Sequence, residues 1–366
     1  MKVLVIVNAH FGYDGISNVA LNYYLYQDHD KVKMDFVTIN EPLEILKTEL
    51  ERNGDNYYVL EGRNKNVLGY IKRLKNIIRK NKYDIVYVHG NSATMFVELL
   101  AAKLAGAKCR IAHSHNTKCD HYIINKMLMP LFSRLYTGCC ACSKEAGEFL
   151  FGNKKCYVVN NGINVDKYKY NPDVRSALRE KYNISDKFVV GHIGRFTHQK
   201  NHEFILECFR EVYKRCPDSV LLLVGNGELE EEIKSKAQAE LPAEAVLFYG
   251  TTDKVNEVVQ MMDVFLFPSK FEGLGIVAVE AQASGMPCVI SDVVPNKVKI
   301  LDEVEFLSLD EKTDVWAECI LSRRNYDAER SSKAGKALEK VVDSGFDINS
   351  GCREMYEYYK TVLGEK

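Results

Sequence analysis

A chain of 366 residues with 46% apolar side chains holds material for two buried cores. Its apolar runs are strand-sized, short of the roughly 20 residues of a membrane span, and residues 3–7 are too short for the apolar part of a secretory signal. The net charge of −1 conceals a split: residues 1–170 carry an excess of +8 and the remainder −9, so the amino half is expected to face something anionic. In chain order, apolar runs at 3–7, 34–38, 57–60, 85–88, 110–113, 139–142 and 157–159 read as strands, with helices at 92–104 and 126–136 among the segments between them. The rhythm restarts with strands at 188–193, 220–224, 246–248, 264–267 and 288–290, and helices are expected at 313–324, 328–342 and 349–363. Strands alternating with helices imply parallel, doubly wound sheets, two in tandem, joined by the polar stretch from Asn160 to Asp186.

Eleven cysteines lie without paired metal-ligand spacing, and Cys139, Cys140 and Cys142 read as small residues of a buried strand. That pattern sets the expectation of a reducing, cytoplasmic setting. The first strand-to-helix turn, residues 8–16, lacks the G-x-G-x-x-G spacing of a nicotinamide-binding turn.

The chemistry concentrates in residues 264–285. The run Val264-Phe265-Leu266-Phe267 reads as a strand, and 276–283, apolar almost all round, as an enclosed helix. Between them stand Glu272, Gly273, Leu274 and Gly275. The glycines let the backbone approach a ligand, and the unpaired amides of a helix start attract an anion. Glu280, about one turn into the helix between Val279 and Ala281, is a costly acid unless it has a partner. Arg195 and Lys200 follow the first strand of the second half. Ligands of doubly wound sheets bind beyond the carboxyl ends of strands, so both can face the same crevice as Glu272. An Arg fork and a Lys point charge suit phosphate oxygens.

Glu272-x7-Glu280 within FEGLGIVAVEAQASG, with its preceding strand and following Met286-Pro287, resembles the signature of retaining GT-B glycosyltransferases of family 4. The wording is closest to the capsular and exopolysaccharide branch, and the resemblance runs over nearly the whole chain. It implies an α/β GT-B fold of two Rossmann-like domains facing across a cleft, residues 1–165 with a returning helix at 349–366, and residues 166–348 as the donor domain. It implies, too, a nucleotide-sugar donor carried on UDP, a polysaccharide or lipid-diphosphate-linked glycan acceptor, and neither cofactor nor metal. By the same resemblance Arg195 and Lys200 form a diphosphate clamp, Glu280 binds ribose, and Glu272 with the amides from Gly273 through Leu274 and Gly275 to Ile276 contacts sugar and phosphate. Gly225 and Thr251 would line the nucleotide pocket. Gly15 matches a glycine loop near the phosphates, although Asp14 replaces the first of the two glycines usual there. His115, with His113 as the alternative, would stand at the reacting centre with Glu272, and Asn91 and Ser92 would meet the acceptor.

Residues 70–80 hold five cations and no acid, with Lys82 just beyond and Ile71, Leu74, Ile77 and Ile78 at helical spacing. Beside the ordinary reading, a packing helix with a solvated face, stands a peripheral patch for the anionic inner face of a membrane. No nucleic-acid recognition module accompanies it. Two other functions remain open: a nucleotide-sugar epimerase on the same fold, and a sugar-nucleotide-binding protein without catalysis.

Overall fold

A computed structural model describes residues 1–12, 14–119 and 122–365. Tyr13, within the first strand-to-helix turn, lies outside the described residues. Two compact units divide the chain, Met1–Ile163 with Asp347–Lys366, and Asn164–Phe346. Both boundaries fall two residues before those expected from sequence.

In the first unit, β1 (Lys2–Val7), β2 (Lys33–Thr38), β3 (Tyr57–Val59), β4 (Ile85–Gly90), β5 (Cys109–Ser114), β6 (Gly138–Ala141) and β7 (Tyr157–Val158) form a sheet ordered β3-β2-β1-β4-β5-β6-β7, parallel throughout. Its helices are α1 (Gly15–Tyr26), α2 (Glu44–Asn53), α3 (Val67–Asn81), α4 (Phe96–Ala105), α5 (Tyr122–Phe132) and α6 (Lys144–Phe151). A parallel sheet is covered on both faces, and strand alternation supplies both cores. Leu4 and Ile6 of β1 join Leu74 of α3, Leu99 of α4 and Phe132 of α5. Val3, Val5 and Val7 point the other way, towards Tyr24 of α1 and Leu50 of α2.

In the second unit, β8 (Phe188–Ile193), β9 (Ser219–Val224), β10 (Val246–Gly250), β11 (Val264–Phe267), β12 (Cys288–Ser291) and β13 (Val304–Leu307) are ordered β10-β9-β8-β11-β12-β13, again parallel. Its helices are α7 (Pro172–Lys181), α8 (His202–Arg215), α9 (Glu230–Glu240), α10 (Val255–Val258), α11 (Ile276–Ala283), α12 (Thr313–Leu321) and α13 (Asp327–Val341). Trp316 of α12 is fully buried and meets Phe204 of α8 edge-on at 5.3 Å. Asp263, one residue before β11, is an electrostatic anchor. It accepts hydrogen bonds from Val189 N at 2.7 Å and from Arg179 at 3.1 Å, and is also paired with Arg175, so that α7 is tied to the sheet.

The last helix, α14 (Ile348–Leu363), belongs to the first unit. Met355 and Tyr359 enter the core beneath α1, Tyr359 lies edge-on to Tyr87 at 6.0 Å, and Ile163 bridges to Asp347 where the chain leaves and returns. The fold is the α/β class of two parallel Rossmann-like sheets expected from sequence.

The sequence reading is corrected at α5, which spans Tyr122–Phe132 and not 126–136, at a strand it lacked and at a cysteine. The strand β13 went unread because Val304-Glu305-Phe306-Leu307 is short, carries an acid and pairs on one side only. Cys139 is not a free thiol: it is joined to Cys156, across β6 and the residue before β7. This removes the cysteine pattern as an argument for a reducing setting. Among the described residues no helix is long and apolar enough to cross a membrane.

Candidate functional site

The carboxyl edge of the second sheet carries most of the residues singled out above. Across that edge the strands run β10, β9, β8, β11, and the turns that follow them line up in the same order. Thr251 follows β10 and is exposed. Gly225 follows β9, with φ of 134°, and a side chain there would meet Gly194 O at 2.2 Å, so only glycine lets the two turns touch. Phe196 N donates to Asn226 O at 2.8 Å, stitching the β8 turn to the β9 turn. On the other flank Lys270 N donates to Gln199 O, Gln199 Nε2 to Phe271 O and Asn201 Nδ2 to Pro268 O, at 2.8, 2.9 and 3.2 Å. The segment 194–201 is thus bound on both sides at the one edge.

Lys200 and Glu272 meet there directly. The Lys200 ammonium donates to Glu272 Oε1 at 2.6 Å and lies 4.8 Å from the centre of the Phe267 ring. Both side chains are largely removed from water, at 17% and 8% exposure, so their charges are fixed and weakly screened. Arg195 is different. It is 65% exposed and leans towards Glu228 at 3.7 Å, on the β9 side of the segment. Of these two cations, Lys200 is enclosed and Arg195 is open to water.

Gly275 ends the β11 turn in the left-handed region, with φ of 86°, and caps α11 without a side-chain hydrogen bond. Ala278 N turns back to Gly275 O at 2.9 Å and no side chain caps the start, an arrangement that can bind an anion at a helix start. Glu272 and Leu274 are buried, and Ile276 is half-buried. Glu280 is half-buried as well. Desolvation pushes its carboxyl up to about 7, against the opposing pull of a hydrogen bond with the Tyr168 hydroxyl. Tyr168 is the partner that the sequence reading required but did not find. It stands at the start of the second unit, far from Glu280 in sequence, and no spacing marks it.

The first unit holds the other residues, and each is described within it. Gly15 opens α1, whose start is already capped: Asp14 Oδ1 accepts from Ile16 N at 2.9 Å and Ser17 N at 3.2 Å, and Oδ2 from Ser17 Oγ at 2.6 Å. The acid in place of a glycine is thus a helix cap. No atom lies within 4 Å of a side chain built at Gly15, so nothing in the protein requires glycine there. Ser92 likewise caps a 3₁₀ turn, with Oγ 2.8 Å from Thr94 Oγ1, so its hydroxyl is engaged. Asn91 Oδ1 is buried without a partner among the described residues.

At the ends of β4 and β5 stand three histidines. In-register pairing sets His89 beside His113, and His115 follows on the same face. His115 Nε2 is 2.9 Å from His89 Nδ1, and its ring stacks on His113 at 3.9 Å. His113 is fully buried with Nδ1 2.6 Å from the Tyr87 hydroxyl, whereas His115 keeps 9% exposure. Of the two histidines read from sequence, His115 is the less enclosed, with Nε2 on His89 and Nδ1 buried. Burial lowers all three, His115 to about 3 and the others well below the ordinary imidazole value, so the rings are neutral and act as hydrogen-bonding groups. One nitrogen from each, all within 4.8 Å of one another, makes them the group among the described residues able to hold a cation. His89 escaped the sequence reading, although its place at a strand end opposite His113 was the available signal.

Asp28-His29-Asp30 has Asp-x-Asp spacing but is structural. It follows α1, at the sheet's amino edge, where Asp28 accepts from Asp30 N at 3.1 Å and pairs with Lys31 at 2.8 Å.

Comparison with known proteins agrees with this fold. The model for glycosyl transferases group 1 matches residues 174–322, and that for glycosyltransferase family 4 matches residues 13–167. Putative glycosyltransferase EpsF of Bacillus subtilis is 36% identical over 94% of this chain and 93% of its own length. The Escherichia coli UDP-Gal:alpha-D-GlcNAc-diphosphoundecaprenol alpha-1,3-galactosyltransferase is 28% identical, over 80% of this chain and 79% of its own. The structure of Anabaena Alr3699/HepE in complex with UDP and glucose superposes with a TM-score of 0.81 over 98% of this chain and 99% of that one, at 17% identity. Two parallel Rossmann-like sheets with these matches define a GT-B glycosyltransferase. The chain belongs to the GT-B family of group 1 and family 4 glycosyltransferases.

Proposed function

We propose that this glycosyltransferase retains anomeric configuration while moving a sugar from a UDP-sugar to a polysaccharide or lipid-diphosphate-linked acceptor in capsule or exopolysaccharide assembly. The observation that carries the reading is the ledge of the second sheet, where Lys200, Glu272 and the uncapped start of α11 adjoin. The diphosphate lies on the α11 amides, gripped by Lys200 and by Arg195, which swings in from solvent. Gly225 and Thr251 border the nucleotide, and Glu280 accepts from ribose hydroxyls. Glu272, with the amides from Gly273 to Ile276, holds the sugar.

An acceptor hydroxyl oxygen bonds to the anomeric carbon on the face from which the diphosphate departs. The carbon–phosphate-oxygen bond breaks with its electron pair going to UDP, and a phosphate oxygen takes the hydroxyl proton. Lys200 and the α11 amides stabilise the charge that grows there, without a cofactor or metal. Neutral His115 and Asn91 serve the acceptor within the first unit. One relative named for transfer from UDP-Gal and a fold neighbour holding UDP support the choice of carrier, while other relatives are named for GDP-mannose. The acceptor would come from a membrane met by the cationic side of α3, none of whose Lys72, Lys75, Arg79 and Lys80 is ion-paired among the described residues.

The test is a panel of nucleotide-sugars screened by thermal shift, followed by transfer to a lipid-diphosphate acceptor and NMR of the new linkage. Stabilisation by UDP-sugars, product with the donor's configuration and activity unchanged by EDTA are expected. An inverted product or a covalent sugar on Glu272 would overturn the mechanism. Donor epimerised without acceptor would favour the epimerase instead.

A further inference from the structure

Helix α5 is apolar on both sides. Of its eleven residues Tyr122, Ile123, Ile124, Met127 and Leu131 are exposed, by 64, 74, 49, 72 and 47%, while Asn125 is buried with Oδ1 accepting from Ala93 N at 2.7 Å. A helix covering a sheet ordinarily turns its apolar stripe inward and its polar residues to water. The inward side here is served by Asn125 and Phe132 with the half-buried Leu128 and Met129, and five large apolar side chains are still left outside. Such a patch marks an interaction face.

Charge identifies what covers it. The helix contains no acid, and its one charged residue, Lys126, is exposed. Helix α3 packs into the same apolar core on the same side of the sheet. Its outer side bears Lys72, Arg73, Arg79 and Lys80, again without an acid, and its first residues Val67 and Leu68 are 41% and 82% exposed. In a parallel sheet the helices run back against the strands, so α3 and α5 both begin at the carboxyl edge, where Asn91 and His115 lie. A second copy of the chain would set cations against cations. An anionic bilayer would receive both features.

We propose that α5 is a lipid-insertion element, its exposed apolar side entering the boundary between headgroups and acyl chains while the α3 cations meet anionic headgroups. A surface helix with an apolar side and basic neighbours binds membranes by both effects together. The turn that α5 holds through Asn125 is Ser92-Ala93, next to Asn91, so a bilayer against α5 brings a lipid-linked diphosphate to that edge. This rests on reading the acceptor as membrane-bound, but on an apolar surface separate from the α3 charges.

The experiment is flotation of the full chain with vesicles of phosphatidylcholine and phosphatidylglycerol, 70:30, and of phosphatidylcholine alone. Ile123→Ser with Met127→Ser should lower partition into anionic vesicles at least ten-fold, with unchanged melting temperature and UDP affinity. Separately, Ile123→Trp should show a blue-shifted emission on those vesicles. Unchanged partition, absence of the shift, or a dimer converted to monomer by the double variant would overturn the proposal. Lys75→Glu with Lys80→Glu separates the two readings. If it abolishes binding that the α5 variant leaves intact, α5 is not the insertion element and the peripheral reading stands. If wild type ignores anionic vesicles, both fall.

Discussion

Lys200 holds two positions at once: it neutralises Glu272 at 2.6 Å and stands on the Phe267 ring beside the start of α11. Lys200→Ala leaves a carboxylate 8% exposed without its partner and should lose up to about 3 kcal/mol of stability in urea denaturation. UDP should bind at least ten-fold more weakly. Lys200→Met with Glu272→Gln should recover most of the stability and none of the affinity; recovered affinity would mean that the cation is structural only. Glu280 makes a prediction with a definite sign. Its carboxyl is raised to about 7, so burying its charge weakens the fold progressively as pH rises from the ordinary carboxylate range through 7. Ribose binding has the opposite sense, because ionised Glu280 is the better acceptor. Affinity for UDP-glucose, whose diphosphate does not titrate there, should fall several-fold from pH 8 to pH 6. Glu280→Gln should flatten that slope, and calorimetry at the two pH values is the check. The same slope in both proteins would move Glu280 away from the nucleotide.

At the level of elements, what was legible followed from local pattern. Apolar runs such as Val264-Phe265-Leu266-Phe267 and Phe188–Ile193 could only be buried strands, and both have the limits read from sequence. α5 was misplaced, read at 126–136 and found at Tyr122–Phe132, because its apolar residues lie on both sides and mislead a periodicity argument. The Glu272 turn and the Lys200 loop were legible as motifs; their meeting follows from β8 and β11 being neighbours, which strand order alone reveals. Partners distant in the chain were not legible: Tyr168 for Glu280, His89 for His115 and Cys156 for Cys139. The Arg175–Arg179–Asp263 cluster is another such case. Removing its buried acid by Asp263→Ala strands two guanidinium groups and should cost about 3–5 kcal/mol, read as a lowered urea midpoint. A loss under 1 kcal/mol would show that α7 is held by apolar packing instead.

For the molecule as a whole, two sheets of the same plan have received different equipment. The second carries a fixed cation, an uncapped helix start and a tunable carboxylate on one edge. The first carries neutral imidazoles, an Asn91 amide oxygen without a partner among the described residues, and a helix with an exposed apolar side. Charge follows the same division, with a net +6 in the first unit and −7 in the second. The central claim is that a nucleoside diphosphate rests on the carboxyl edge of β9, β8 and β11. Hydrogen–deuterium exchange with and without UDP tests it without any substitution. The account predicts slowed exchange in residues 194–201, 225–228 and 268–280, and none in the polar surface around Asp302, Arg323 and Lys333. Protection confined to that other surface, or absent from the Lys200 and Glu272 segments at saturating UDP, would contradict it.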